Sequence, residues 1–251
     1  MRLLLPLLLA VVVSCWGPVT HETYFQCQYR DVADYKACLA LPSFYLFAIG
    51  SMAPDALKSF NLHNLVFAGH QWQYAHANCS DMLPFAEGFA AHIVEDAVGH
   101  HPQGYLNPSV DHPQEFAVDT YATKDWAEKE DIMVTFTSLN DTVSTELHAF
   151  LGATSGLELA DILNSINTFD HLLVEESLAI PFNVAYKFEM IEFDTDNSTT
   201  DFNQTLRHLQ DTVLIVKKAI VYWIAHIQQS TPSLAASSTL TYIDSLMSTM
   251  D

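Results

Sequence analysis

Residues 202–229 read FNQTLRHLQDTVLIVKKAIVYWIAHIQQ, and the spacing of their apolar positions decides the fold class. Leu206, Leu209, Val213, Val216, Ile220 and Trp223 recur every three or four residues, the period of one face of an α-helix. Lys217 and Lys218 stand beside that stripe. Working outward, the same periodicity predicts helices over 43–51, 82–98, 113–129, 141–151, 156–166 and 171–180. Alternating strands joined by Asn-Gly or Asp-Gly turns are missing. Only residues 184–195, VAYKFEMIEFDT, alternate enough to be extended, and they stand alone. The expectation is an all-α protein with a single multi-helix domain over 16–251. Breaks fall at 99–110, at 180–183 and across 194–201. The Ser/Thr/Pro-rich residues 230–238 read as a loose connector to a short last helix.

The chain has 251 residues, 49% of them apolar, which suffices for a full core and excludes disorder as a description of the whole. Thirty acidic side chains against ten basic ones give a net charge of −20. Such a chain repels a phosphate backbone and does not adsorb to anionic lipid through a basic patch. Twelve His beside ten Lys and Arg is the compositional oddity, because His is the commonest metal ligand and a frequent acid or base.

Residues 1–15, MRLLLPLLLAVVVSC, carry one Arg and then an eleven-residue apolar run, too short for the roughly 20 residues that cross a bilayer. They read as a signal peptide, so the mature chain is expected to begin at Trp16 in a secreted or luminal compartment. No transmembrane segment follows, and any contact with a membrane surface is expected to be transient. Asn78, Asn140, Asn197 and Asn203 each open an Asn-x-Ser/Thr sequon. After cleavage Cys27, Cys38 and Cys79 remain; Cys27–Cys38, closing a short loop, is the preferred disulfide, with Cys79 left over.

The residues that carry chemistry cluster in the first half. In order they are Trp16-Gly-Pro-Val-Thr-His21, Gly50-Ser-Met-Ala-Pro-Asp55, Gly69-His70, His92-Ile-Val-Glu-Asp96-Ala-Val-Gly-His100-His101 and His112-Pro-Gln-Glu115. Four residues apart on a helix, His92 and Asp96 project from one face and can reach one ion. His100 keeps that face if the helix continues past Gly99. Each piece also has a plainer reading. A single His on an apolar face is ordinarily a hydrogen-bonded core residue, Asp55 after Pro54 reads as a turn or cap, and Asp111-His-Pro-x-Glu115 reads as a helix start.

Taken together, the ordered set resembles the zinc-dependent phospholipase C superfamily. That group covers bacterial phospholipases C, fungal single-strand-specific nucleases and the catalytic domain of glycosylphosphatidylinositol-specific phospholipase D. The resemblance spans about residues 16–120 and looks most like the phospholipase D member in the Trp16-to-His21 and Asp96-to-His100 steps. It implies up to three Zn²⁺ ions. Asp55, His70, His92 and Asp96 would hold the first, and Asp96 would bridge to a second bound by His21 and by the amine and carbonyl of Trp16. His100 would begin a third site with Glu115 and a His, for which His112 stands one step out of register. The Gln-Pro pair of the nuclease and bacterial phospholipase members is replaced here by Ala97-Val98-Gly99, which counts against either subgroup.

Such a site suits a phosphodiester, whose charge repels nucleophiles and whose alkoxide leaves poorly. Zinc binds the phosphoryl oxygens and lowers the pKa of bound water from about 15.7 to about 7. Asp55 is the expected catalytic carboxylate. The expected activity is therefore phospholipase C- or D-type hydrolysis of a phospholipid or phosphatidylinositol-glycan, with nucleic acid a second choice. Tyr105 is a candidate substrate contact. Phe60, Leu65, Phe67, Trp72 and Tyr74 read either as core or as a lipid-chain pocket. Two alternatives stay open: a nuclease or nucleotidase of the same superfamily, and a catalytically inactive secreted zinc-binding helical protein.

Overall fold

The computed structural model describes residues 21, 43–102, 136, 139–169 and 202–249, with the backbone alone for 202–210. Trp16, Cys27, Cys38, Tyr105, His112, Glu115 and Asn197 lie outside the described residues, as do the expected helices at 113–129 and 171–180 and the extended stretch at 184–195. All regular structure among the described residues is helical, so the protein is all-α. The helices are α1 (Phe44–Ala56), α2 (Leu65–Asn78), α3 (Leu83–Gly99) and α4 (Asp141–Ser155), then α5 (159–169), α6 (Phe202–Ile227) and α7 (Pro232–Met247). Short 3₁₀ turns at Lys58–Phe60 and Ser80–Met82 join the first three. None of these helices is long and apolar enough to cross a membrane.

α3 is the central element. It packs against α1, α2 and α6, and more lightly against α7. Two glycines set how close α1 and α3 come. A β-carbon at Gly50 would meet the Phe85 carbonyl oxygen at 2.2 Å, and one at Gly88 would meet the Phe47 carbonyl oxygen at 2.1 Å. Both are backbone atoms that no rotamer change can move, so only glycine permits the crossing. Phe44, Ile49, Met52, Phe85, Phe89 and Val94 fill the space around it with almost no exposed surface. Burial of each such side chain stabilises the fold by about 1.5–3 kcal/mol.

Two elements depart from the sequence expectation. The helix α2 is not signalled by its composition, LVFAGHQWQYAHAN, which is rich in aromatic and small residues on every side. Its start is fixed locally: Asn64 Oδ1 accepts the Phe67 amide at 2.9 Å, a side-chain N-cap. Gly69 then lets α2 approach Pro232 and Ile227 at the α6–α7 junction. The expected loose connector at 230–238 is instead the four residues 228–231, because α6 ends at Ile227 and α7 begins at Pro232. Thr231 caps it by accepting the Leu234 amide, and Pro232 occupies a first-turn position where its missing N–H costs nothing. Inside α7 the hydroxyls of Thr239 and Thr241 bond back to the carbonyls of Ala235 and Ser237, which absorbs their preference for turns.

The stripe on α6 behaves as its period demands. Val216, Ala219, Ile220, Trp223 and Ile227 are buried, while Lys218 is exposed. Leu65, Phe67 and Trp72 are core residues, at 3%, 8% and 5% exposure, which removes them from a lipid-chain pocket. Cys79 forms no disulfide. Asn78 and Asn140 are exposed. Asn140 caps α4 through its Oδ1, and its Nδ2 is the atom that a glycan would take.

Candidate metal centre

Four separate stretches of the chain deliver side chains to one buried place. α1 runs through Pro54, which has no amide hydrogen to give to the preceding turn, and carries Asp55 in its final turn. α3 carries His92 and Asp96 one turn apart, with Glu95 between them. His63 comes from the loop before α2, and that loop is pinned on both sides. Asn61 adopts the left-handed region at φ 60°, and Asn64 Nδ2 donates to the Asn61 carbonyl at 3.0 Å. His21 enters from the N-terminal side and is fully buried.

The donor atoms stand close to one another. His63 Nε2 lies 3.0 Å from His92 Nε2 and 3.0 Å from Asp96 Oδ2. His92 Nε2 lies 3.4 Å from Asp96 Oδ2. Asp55 Oδ1 lies 3.8 Å from both imidazole nitrogens. Zinc donors at about 2.0–2.1 Å in tetrahedral array stand about 3.3–3.4 Å apart, so these pairwise separations, from 3.0 to 3.8 Å, fall on either side of that spacing. On the far side of Asp96, Oδ1 lies 3.4 Å from His21 Nε2. The two oxygens of Asp96 thus face different imidazoles. His21, His92 and Asp96 form one three-donor group and Asp55, His63 and His92 another, with His92 common to both.

The proton inventory fits a cation. His92 Nδ1 lies 2.6 Å from the Ser51 carbonyl oxygen, which can only accept, so the ring's hydrogen is on Nδ1. Its Nε2 then presents a lone pair to the carboxylates of Asp55 and Asp96. Asp55 Oδ1 is buried with no hydrogen-bond partner, an expensive state for a carboxylate oxygen unless a positive charge faces it. A ligating imidazole whose other nitrogen donates to a carbonyl is the usual outer arrangement of a metal-bound His. His21 shows the equivalent arrangement with a carboxylate, through Nδ1 to Glu95 Oε2. The His21 and His92 rings stack at 4.0 Å.

Burial alone favours the protonated form of Asp96, and it is the largest influence on that carboxyl. With no ion present and the rings protonated, it is outweighed by the charge of His92, by hydrogen bonds from His63 and His92 and by the charge of His21, which together hold the carboxyl well below its ordinary range. The acid is therefore ionised and available as a ligand.

The sequence-predicted residues divide cleanly. His21, Asp55, His92 and Asp96 come together. His70 does not: it is exposed on α2, away from both donor groups, and His63 stands in the place the resemblance gave it. The physical reason is the α2 face, since Gly69 beside it packs on α6–α7 rather than on α3. His100 is close but differently placed. α3 ends at Gly99, so His100 is its C-cap, its amide bonded to the Asp96 carbonyl, and its ring joins neither donor group. His101 turns to Asp244 on α7 at 3.4 Å. Sequence reasoning missed His63 and Glu95. The signal for His63 was the pair of Asn residues around it, Asn61-Leu-His-Asn64, which marks a fixed turn before a helix. Comparison of the chain with protein-family models, curated proteins and solved structures finds no match to any of them.

Proposed function

We propose that this chain is a zinc-dependent phosphodiester hydrolase of the zinc-dependent phospholipase C type. Its substrate class is a phospholipid or phosphatidylinositol-glycan, met in an extracellular or luminal compartment. One observation carries the reading: Asp55 Oδ1, His63 Nε2 and His92 Nε2 form one donor group, and Asp96 sets Oδ2 beside the same two imidazoles while Oδ1 turns to His21. Asp96 would offer one oxygen to each side, and cations held there would supply positive charge to a phosphoryl group.

Bound zinc would supply a nucleophilic water near neutral pH and positive charge for the phosphoryl oxygens. The chain's own residues do the rest. His63 and His92 present their Nε2 atoms on one side, and Ser51 fixes the His92 ring so that it cannot rotate away. Asp55 has Oδ1 turned to the imidazoles, which leaves Oδ2 to take the proton of the attacking water. The local cationic charge would let a chain of net charge −20 accept an anionic substrate. The exposed sequon residues Asn78 and Asn140 suit the proposed compartment.

The test is the zinc content of the secreted chain measured together with phosphodiester release from phospholipid vesicles, a phosphatidylinositol-glycan and single-stranded DNA. Zinc at more than one equivalent, with lipid cleavage lost on chelation and restored by zinc, is the expected result. Undiminished cleavage by the chelator-stripped chain overturns the proposal. Preferential cleavage of DNA moves the activity to the nuclease branch, and zinc without any cleavage makes this a binding protein.

A further inference from the structure

Glu95 is fully buried, one residue before Asp96, and no part of the phosphodiester reading uses it. Its Oε2 meets His21 Nδ1. On the opposite edge of the same ring, His21 Nε2 lies 3.4 Å from Asp96 Oδ1. One imidazole is thus held between two adjacent carboxylates of a single helix. The stack on His92, with centroids 4.0 Å apart and planes 24° from parallel, prevents it from swinging out.

The two edges differ in kind. Nδ1 meets a carboxylate oxygen of Glu95, which accepts, so the ring's proton belongs on Nδ1. The Nε2–Asp96 separation of 3.4 Å matches the spacing of two donors around a common ion. We propose that Glu95 is a positioning residue for a second divalent cation. It holds His21 with the proton on Nδ1 and so delivers a bare Nε2 to an ion shared with Asp96 Oδ1. This rests on the metal-centre reading above and assigns the two positions different dependences. The position of Asp55, His63 and His92 is oriented by the Ser51 carbonyl, the position of His21 by Glu95.

The experiment is zinc titration of the chelator-stripped full chain against a competing chromophoric chelator. It compares wild type with Glu95→Gln, Glu95→Ala and His63→Ala, and reads ring-nitrogen NMR shifts of His21 in the stripped proteins. Wild type should take up at least two ions with His21 protonated on Nδ1. Both Glu95 variants should weaken one ion by about 10–100-fold, the usual loss when an outer partner of a ligand is removed. They should leave the other ion at wild-type affinity, and Glu95→Ala should lose the Nδ1-protonated state. His63→Ala should weaken the other ion instead. If Glu95→Ala loses its circular-dichroism spectrum, the isosteric Glu95→Gln supplies the reading. Wild-type affinity for both ions in a folded Glu95 variant overturns the role of Glu95 alone. A wild type that takes up no zinc overturns the metal centre itself.

Discussion

The ring of His92 donates from Nδ1 to the carbonyl oxygen of Ser51 across 2.6 Å, from one helix to its neighbour. That contact exists because α1 and α3 cross at backbone distance over Gly50 and Gly88. Ordinary helix packing keeps axes 8–10 Å apart according to the side chains between them, and here there are none at the crossing. The glycines act on the candidate site from a distance: they place an acceptor beside the imidazole.

Gly88→Ala should therefore harm both fold and site. Its β-carbon would sit 2.1 Å from the Phe47 carbonyl oxygen and 2.9 Å from the Ser51 amide, so the helices must separate. The expected loss is at or above the about 1–3 kcal/mol typical of overpacking, read by chemical denaturation of the stripped protein. Zinc affinity should fall as well, since Ser51 moves with α1. Unchanged stability would show that the crossing has slack.

His63→Ala and His70→Ala should separate sharply. The first removes a donor and should cost more zinc affinity than the roughly 10–100-fold that loss of an outer partner costs. The second changes an exposed side chain and should leave metal uptake alone. Equilibrium zinc binding checks both, and equal losses would return His70 to the site.

Asp96 should govern the acid limb of stability in metal-free protein. Its carboxyl is held well below the ordinary range, against burial, by His92, His63 and His21. A depressed acid stabilises the fold above its unfolded value of about 3.9, and that contribution disappears as pH falls through the folded value. Melting temperature measured in chelator from pH 6 downward should drop in wild type below about pH 4. The Asp96→Asn curve should be lower at pH 6 and flatter toward acid.

Cys79 should be a sluggish thiol. Burial, and secondarily the carboxylate of Asp81, push its pKa up, so little thiolate exists near neutrality. Alkylation with iodoacetamide at pH 8 should be several times slower in the native than in the unfolded chain. Asp81→Asn should recover only part of the difference, since burial is the larger cause.

How far the sequence exposes these features depends on where each residue sits. His92 and Asp96 are legible because a helix converts a four-residue spacing into a shared face. Asp55 is legible only through its motif, since nothing in the spacing says that α1 continues past Pro54. His63 is hidden because a loop has no period, and its position depends on the left-handed turn at Asn61 and the cap at Asn64. Glu95 looks like a solvated charge in the sequence and is buried in the fold. The α6 stripe declares a helix outright, whereas α2 hides one, because a helix covered on several sides loses the polar face that makes its period visible.

Most of α3 is covered by its neighbours, and His92, Glu95 and Asp96 all ride on its last two turns. A segment enclosed in that way exchanges its amide hydrogens only when the whole molecule opens. His92 and Asp96 are thus anchored to a well-covered helix, and they disperse with the fold rather than ahead of it.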